Sequence, residues 1–295
     1  HYSLILSTLS REVLYEHDRK STGAYHTDFR LASRLAELAA ADLTHQSSVI
    51  DPACGAGILL VALTLAVCGA DRTKTAHWFS HGVCAADLSP NSMRAALLSL
   101  ASLTDNVNSL VKMRKRWFCG DSLLADPCVW SLMAPNGFDT VIGNPPWEKI
   151  KLSRHEFIKA SGVMRHYGAD TFEIDEKVFQ SQREAAIFYS QKLLARYPII
   201  GGGDPDLYIA FTDLFLELCK SGGTVAALVP GGLIRSKGTA SIRRKIMDSC
   251  NATSFSIIDN RAKFFAIDSR FKFLAIALTK SNGSNTKAAP IHLLH

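Results

Sequence analysis

Apolar residues in this chain fall into short continuous runs, separated by longer stretches where they recur every three or four positions. The first kind of segment reads as a strand buried on both faces, the second as a helix with one buried face. Residues 2–15 open the chain with helical spacing, residues 18–23 form a polar turn, and residues 29–41 return to helical spacing. Residues 48–51 are a short strand that stops at Pro52, and a glycine-rich turn leads into a helix over residues 57–67. Residues 82–86 predict a second strand, 90–103 a helix, 116–119 a third strand, and the apolar run over 138–142 a fourth. This alternation predicts an α/β fold with a mostly parallel sheet and helices on both faces.

Residues 151–203 break the rhythm. They are polar and mixed, turn helical over about residues 178–197, and end in Gly201-Gly202-Gly203. They read as a helical insertion after the fourth strand. Residues 206–220 then predict a helix stopped by Gly222-Gly223, followed by a strand over 224–229 that ends at Pro230-Gly231-Gly232. A helix over 239–250 precedes two last strands, 255–258 and 271–279, joined by a turn as in an antiparallel hairpin. No internal repeat stands out.

Composition narrows the class. A chain of 295 residues suffices for one large α/β domain or two small ones. The formal charge of +6 suits a nucleic-acid partner without demanding one. Its basic clusters are short, at residues 112–116, 235–237 and 243–245, and each is expected on a solvated face. Seven cysteines without a CxxC pair predict free thiols in a reducing cytoplasm. Cys54, Cys68, Cys84, Cys119 and Cys219 are expected to be buried. No zinc-ligand spacing appears, so no metal is assigned. The longest apolar run, residues 58–68, is too short to span a bilayer, and no membrane association is expected. The first residue is His rather than Met, so the chain is expected to be a piece of a longer protein.

The chemistry concentrates at the carboxyl ends of the predicted strands, the edge where ligands bind in open α/β sheets. Asn144-Pro145-Pro146-Trp147 follows the fourth strand. Two adjacent prolines cannot continue a sheet ladder, so they force a stiff turn. That turn offers an amide side chain, a free carbonyl and a large flat ring, the groups needed to grip an amino group on a planar base. Asp51-Pro52-Ala53-Cys54-Gly55-Ala56-Gly57 follows the first strand. Its glycines allow a tight turn and close approach to a ligand. Asp51 before them suits a cationic ligand better than a pyrophosphate. Asp87 ends the second strand and Asp121, followed by Ser122, comes after the third.

Together these strings resemble the S-adenosylmethionine-dependent amino-methyltransferases of DNA. Asn144-Pro145-Pro146-Trp147 looks like motif IV of that family, and residues 51–57 like motif I with Ala56 in place of the commoner serine. Asp87 and Asp121 correspond to motifs II and III. Residues 22–27, Thr-Gly-Ala-Tyr-His-Thr, resemble motif X, with Asp28 replacing its proline. The motif order is similar to the gamma class, and within it to the Eco57I-like restriction-modification and phage-defence enzymes. Residues 203–208, 229–232 and 264–273 add further likeness.

The resemblance implies a Rossmann-like methyltransferase fold with seven strands in the order 3-2-1-4-5-7-6, the seventh antiparallel. It implies methyl transfer from S-adenosylmethionine to N6 of an adenine flipped out of double-stranded DNA. The expected catalytic residues are Asn144, Pro145, Pro146 and Trp147. The expected cofactor-binding residues are Tyr25, Thr27, Asp51, Ala53, Cys54, Gly55, Gly57, Asp87, Leu88, Asp121, Ser122 and Asn144, with Leu88 beside the cofactor adenine.

The domain organisation expected is an N-terminal helical segment over 1–20 and a catalytic domain over 21–295 with an insertion at about 151–203. Target recognition is assigned to a domain of the full-length protein outside this chain, and a nuclease or other defence-system subunits are expected partners. Smaller gamma enzymes place a second aromatic against the flipped base where Thr239 stands here, so that partner is open, with Phe172 and Tyr208 as candidates. Two rival chemistries are a cytosine-N4 methyltransferase, which more often has Ser in place of Asn144, and a release-factor glutamine methyltransferase. A rival of another class is a cofactor-binding but catalytically silent DNA-binding module of a defence complex.

Overall fold

A computed structural model of the chain describes residues 27–147, 176–201, 206–265, 268–281 and 291–294. The expected helix over 2–15, the turn over 18–23, Tyr25, Phe172 and the first half of the insertion lie outside them.

The sheet is built from β1 (Val49–Asp51), β2 (Val83–Asp87), β3 (Trp117–Cys119), β4 (Phe138–Gly143), β5 (Cys219–Pro230), β6 (Cys250–Asp259), β7 (Lys272–Lys280) and β8 (Ile291–Leu294). Their order is β3-β2-β1-β4-β5-β7-β6-β8. β1 to β5 pair in parallel, and β7 runs antiparallel between β5 and β6. The seven expected strands thus take the expected order. An eighth, β8, adds in parallel to β6 and covers what would otherwise be an open edge.

Helices pack around this sheet. They are α1 (Phe29–Ala39), α2 (Ile58–Cys68), α3 (Arg72–His81), α4 (Pro90–Ala101), α5 (Val107–Arg114), α6 (Pro127–Met133), α7 (Glu176–Arg196), α8 (Leu207–Leu218), α9 (Gly232–Arg235) and α10 (Ala240–Ser249). α2 is apolar almost all round, as a helix must be when the sheet lies on one side and α1 on the other. α1 presents a single apolar stripe, Leu31, Ala32, Leu35, Ala36 and Ala39, to α2 and β5.

Four helices escaped the hydrophobic pattern: α3, α5, α6 and the four-residue α9. The first three are each set by the residue that caps them rather than by a strong apolar face. Asp71 accepts hydrogen bonds from the Thr73 and Lys74 amides, Asn106 from Ser109, and Asp126 from Cys128 just before Pro127 opens α6. The expected stop at Gly222-Gly223 also moves. α8 ends at Leu218, and Cys219 already pairs with Phe138 at the start of β5. Gly222 instead lies inside β5 at φ 76°, where the register against β4 shifts. Among the expected buried thiols, Cys119 is exposed at the end of β3, while Cys54, Cys68, Cys84 and Cys219 are buried.

β4 delivers the Asn-Pro-Pro-Trp turn, and Gly143 fixes its path. A Cβ on Gly143 would sit 2.6 Å from Phe215 Cζ, and Phe215 is fully buried. Gly143→Ala is therefore expected to cost about 1–3 kcal/mol of stability by overpacking. Urea denaturation checks this, and an unchanged midpoint would show that the ring can yield.

Candidate functional site

The carboxyl ends of β1, β2 and β4 and the turn after β3 open into one cavity of about 580 Å³. Asp51, the last residue of β1, is buried at 1% exposure. Its Oδ1 accepts the Ala53 amide at 3.0 Å, whereas Oδ2 has no hydrogen-bond partner among the described residues. Burial raises this carboxyl to about 8, against the opposing hydrogen bond from Ala53. An acid in this state favours a cationic donor.

Asp87 ends β2 and joins two turns. Its Oδ2 accepts the Gly55 amide at 2.9 Å and its Oδ1 the Ser89 amide at 2.8 Å. Burial nonetheless raises its carboxyl. Gly55 has φ 52°, and a Cβ there would meet nothing within 4 Å, so its backbone borders open space. Asp121 follows β3, and its Oδ1 accepts the Leu123 amide at 2.9 Å. The neighbouring Ser122 hydroxyl donates to the Pro52 carbonyl at 2.6 Å, tying this turn to the one after β1.

Asn144 stands on the other side of β1. Its Nδ2 donates to Thr27 Oγ1 at 3.0 Å, which turns the amide so that Oδ1 lies on the edge opposite Thr27. Thr27 is itself buried at the foot of α1.

The cavity gathers Thr27, Asp51, Ala53, Cys54 and Gly55 with Asp87, Leu88, Asp121, Ser122, Asn144 and Pro146. Leu88 is 69% exposed, an apolar side chain on the cavity rim. Gly57, Pro145 and Trp147 do not line it, and Tyr25 lies outside the described residues. Gly57 serves packing instead. It opens α2 at φ 79°, and a Cβ would come within 3.0 Å of the Ala96 Cβ on α4.

Trp147 is buried beside the cavity. Its Nε1 donates to the Leu228 carbonyl at 3.3 Å. The ring meets Phe265 edge-on at 4.8 Å and lies nearly parallel to Phe271 at 6.0 Å. Thr239, expected near the place of the second aromatic, is buried, and its hydroxyl reaches the carbonyls of Leu233 and Ser236. Tyr208 is buried in α8 and does not line the cavity.

Sequence reasoning missed Tyr189, Leu207 and Phe211, which line the same cavity from α7 and α8. They follow the insertion in the chain, and only the string at residues 203–208 pointed near them. Of the basic clusters, Lys245 pairs with the buried Asp213, and Arg243 donates to the Leu233 and Ser236 carbonyls. Those two hold the fold, while Arg235, Lys237 and Arg244 are exposed.

The Asp51 carboxyl has a consequence for stability. Its folded pKa of about 8 lies above the unfolded value of about 3.9. The folded state therefore keeps a proton that the unfolded state releases. This contribution is fully present below about pH 4 and is lost as pH rises through about 8. Asp87, also raised by burial, acts in the same sense. Thermal melts of the ligand-free protein are expected to lose stability as pH rises from about 4 to about 8, and Asp51→Asn to remove a large part of that loss. Equal pH dependence in both proteins would mean that Asp51 titrates like an ordinary carboxylate.

The fold has counterparts among known proteins. A search of curated protein sequences finds no match. Among solved structures, the complex of DrdV with DNA matches with a TM-score of 0.61 at 15% identity, over 99% of this chain and 30% of that one. The M protein of the type I restriction enzyme EcoKI matches with a TM-score of 0.56 at 16% identity, over 98% of this chain and 51% of that one. A protein from Listeria monocytogenes, described as a class I S-adenosylmethionine-dependent methyltransferase, matches with a TM-score of 0.50 at 16% identity, over 90% of this chain and 64% of that one. At these identities the likeness is one of fold, and this chain spans less than two thirds of each neighbour's length. The model of the Eco57I restriction-modification methylase family matches residues 83–265, more than half of the sequence, and the chain belongs to that family.

Proposed function

We propose that this chain is the catalytic domain of a DNA methyltransferase of a restriction-modification or phage-defence system, transferring a methyl group from S-adenosylmethionine to N6 of a flipped adenine. The observation that carries the reading is the shared cavity: three strand-end acids and Asn144 border one space of about 580 Å³.

The residues fit S-adenosylmethionine. The unpartnered, buried Oδ2 of Asp51 suits a cationic ligand. Gly55 leaves room for a ligand against the backbone, and Leu88 and Phe211 supply apolar walls for a flat ring. In this reading Asp87 takes the ribose hydroxyls and Asp121 the adenine amino group, as the family resemblance implies. Bound there, S-adenosylmethionine supplies a methyl group on a positively charged sulfur.

The chain's own part is positioning and electrostatics. The exocyclic nitrogen of adenine is a weak nucleophile because its lone pair is conjugated with the ring. Asn144 Oδ1 and the Pro145 carbonyl accept its two hydrogens, which localises the lone pair toward the methyl group. Thr27 holds the other end of the Asn144 amide and so keeps the oxygen edge turned to the base. Flipping brings the base out of the duplex, with Trp147 as its platform. Phe271, 39% exposed, lies nearly parallel to Trp147.

Double-stranded DNA is the partner, with exposed Arg235, Lys237 and Arg244 available to phosphates. Such contacts carry no sequence information. Reading of the target is assigned to a further domain of the full-length protein, and a nuclease or other defence subunits to its partners.

Asn144→Ala is expected to lower methyl transfer about a hundredfold to a thousandfold, the usual loss for a single donor or acceptor aimed at the reacting centre. Its affinity for S-adenosylmethionine should fall far less than transfer does, since Asn144 is one of many residues around the cavity. Single-turnover transfer assays with calorimetry in parallel check both halves. Near-parental transfer would remove Asn144 from the chemistry.

A further inference from the structure

The inserted segment reaches the cavity through α7. That helix is mostly solvent-facing: among its described residues only Phe179 and Leu193 are buried. Tyr189 is an exception to its exposed face, half-buried, packed against the core and lining the cavity that holds Asp121. Eight residues on, Tyr197 is fully buried, and its hydroxyl donates to the Leu123 carbonyl at 3.0 Å. The end of α7 is thus fastened to the turn that carries Asp121, Ser122 and Leu123. Asp121 lines the cavity, uses Oδ1 for the Leu123 and Leu124 amides, and shares a side-chain hydrogen bond with Tyr189.

We propose that α7 is part of the cofactor site and that Tyr189 acts with Asp121 as a reader of the cofactor's adenine amino group. The inference rests on the cavity being the S-adenosylmethionine site. A phenol that donates to a carboxylate keeps lone pairs with which to accept. Tyr189 and Asp121 together therefore offer two acceptors, one for each hydrogen of an exocyclic amino group. Burial, the charge of Asp121 and a hydrogen bond to it all raise the Tyr189 phenol, so it remains a protonated donor to Asp121 at neutral pH. A purine with a carbonyl at that position would bring an acceptor where the pair needs a donor, and would be rejected. The insertion then completes cofactor recognition in addition to whatever its first half does.

The test is calorimetry on the full-length protein with two stable probes, S-adenosylhomocysteine and its 6-oxo analogue S-inosylhomocysteine. The parent is expected to bind the adenine probe and discriminate strongly against the other. Tyr189→Phe keeps the ring and its packing. It is expected to weaken the adenine probe about tenfold while leaving the weak binding of the 6-oxo probe unchanged, so that discrimination narrows. Equal weakening of both probes would indicate structural damage and overturn the reading of Tyr189, as would parental affinity for both. Parental and variant melting temperatures are expected to agree. If the parent binds neither probe, the cofactor reading itself fails and this inference falls with it.

Discussion

The pairing of β1 with β4 at the centre of the sheet is the constraint on which the site depends. Val49 and Ile50 lie in register with Thr140 and Val141, so Asp51 and the Gly143-Asn144 turn emerge side by side. From that point the chain builds outward in opposite directions, through β2 and β3 on one side and β5, β7 and β6 on the other. The connections part there, and a crevice opens at the carboxyl ends of the strands. The fold accepts a cost to keep that crevice polar. Asp51 is almost fully buried at the cavity wall, and that burial holds its carboxyl well above the ordinary range.

Three hydrogen bonds then join turns that come from different strands. Ser122 reaches Pro52, Asp87 reaches the Gly55 amide, and Asn144 reaches Thr27 ahead of α1. Each is short-ranged in space but long in sequence, so each turn is placed by its neighbours rather than by its own residues. For the proposed methyl transfer, which depends on alignment of a methyl donor and a nitrogen, this mutual placement would be the chain's main contribution. The aromatic cluster around Trp147 belongs to the same logic on the other side of Asn144. It anchors the stiff Pro145-Pro146 turn from beneath, through the Leu228 carbonyl of β5.

Much of this was legible in the sequence because parallel strands carry nearly continuous apolar runs and their ends carry the polar chemistry. Val49-Ile50-Asp51 and the run before Asn144 announced both strands and the ligand edge. What stayed hidden depends on long-range packing. α3, α5 and α6 lack a strong apolar stripe, and only the capping residues Asp71, Asn106 and Asp126 signalled them. The early start of β5 at Cys219 is set by pairing with Phe138, which no local pattern encodes. Tyr189 looks like any half-apolar position of a polar helix, and its place in the cavity follows from where α7 docks. Trp147 beside two prolines reads as a ring that stacks on the target base, and its contacts with Phe265, Phe271 and Phe273, more than a hundred residues later, are not encoded locally.

The central claim is that this crevice moves a methyl group onto an adenine amino nitrogen. The direct measurement is to incubate the full-length protein with duplex DNA and methyl-labelled S-adenosylmethionine, digest the DNA to nucleosides, and identify the labelled one by mass spectrometry. The account predicts label in N6-methyldeoxyadenosine alone. Label in N4-methyldeoxycytidine, or none on any duplex despite bound cofactor, would contradict it.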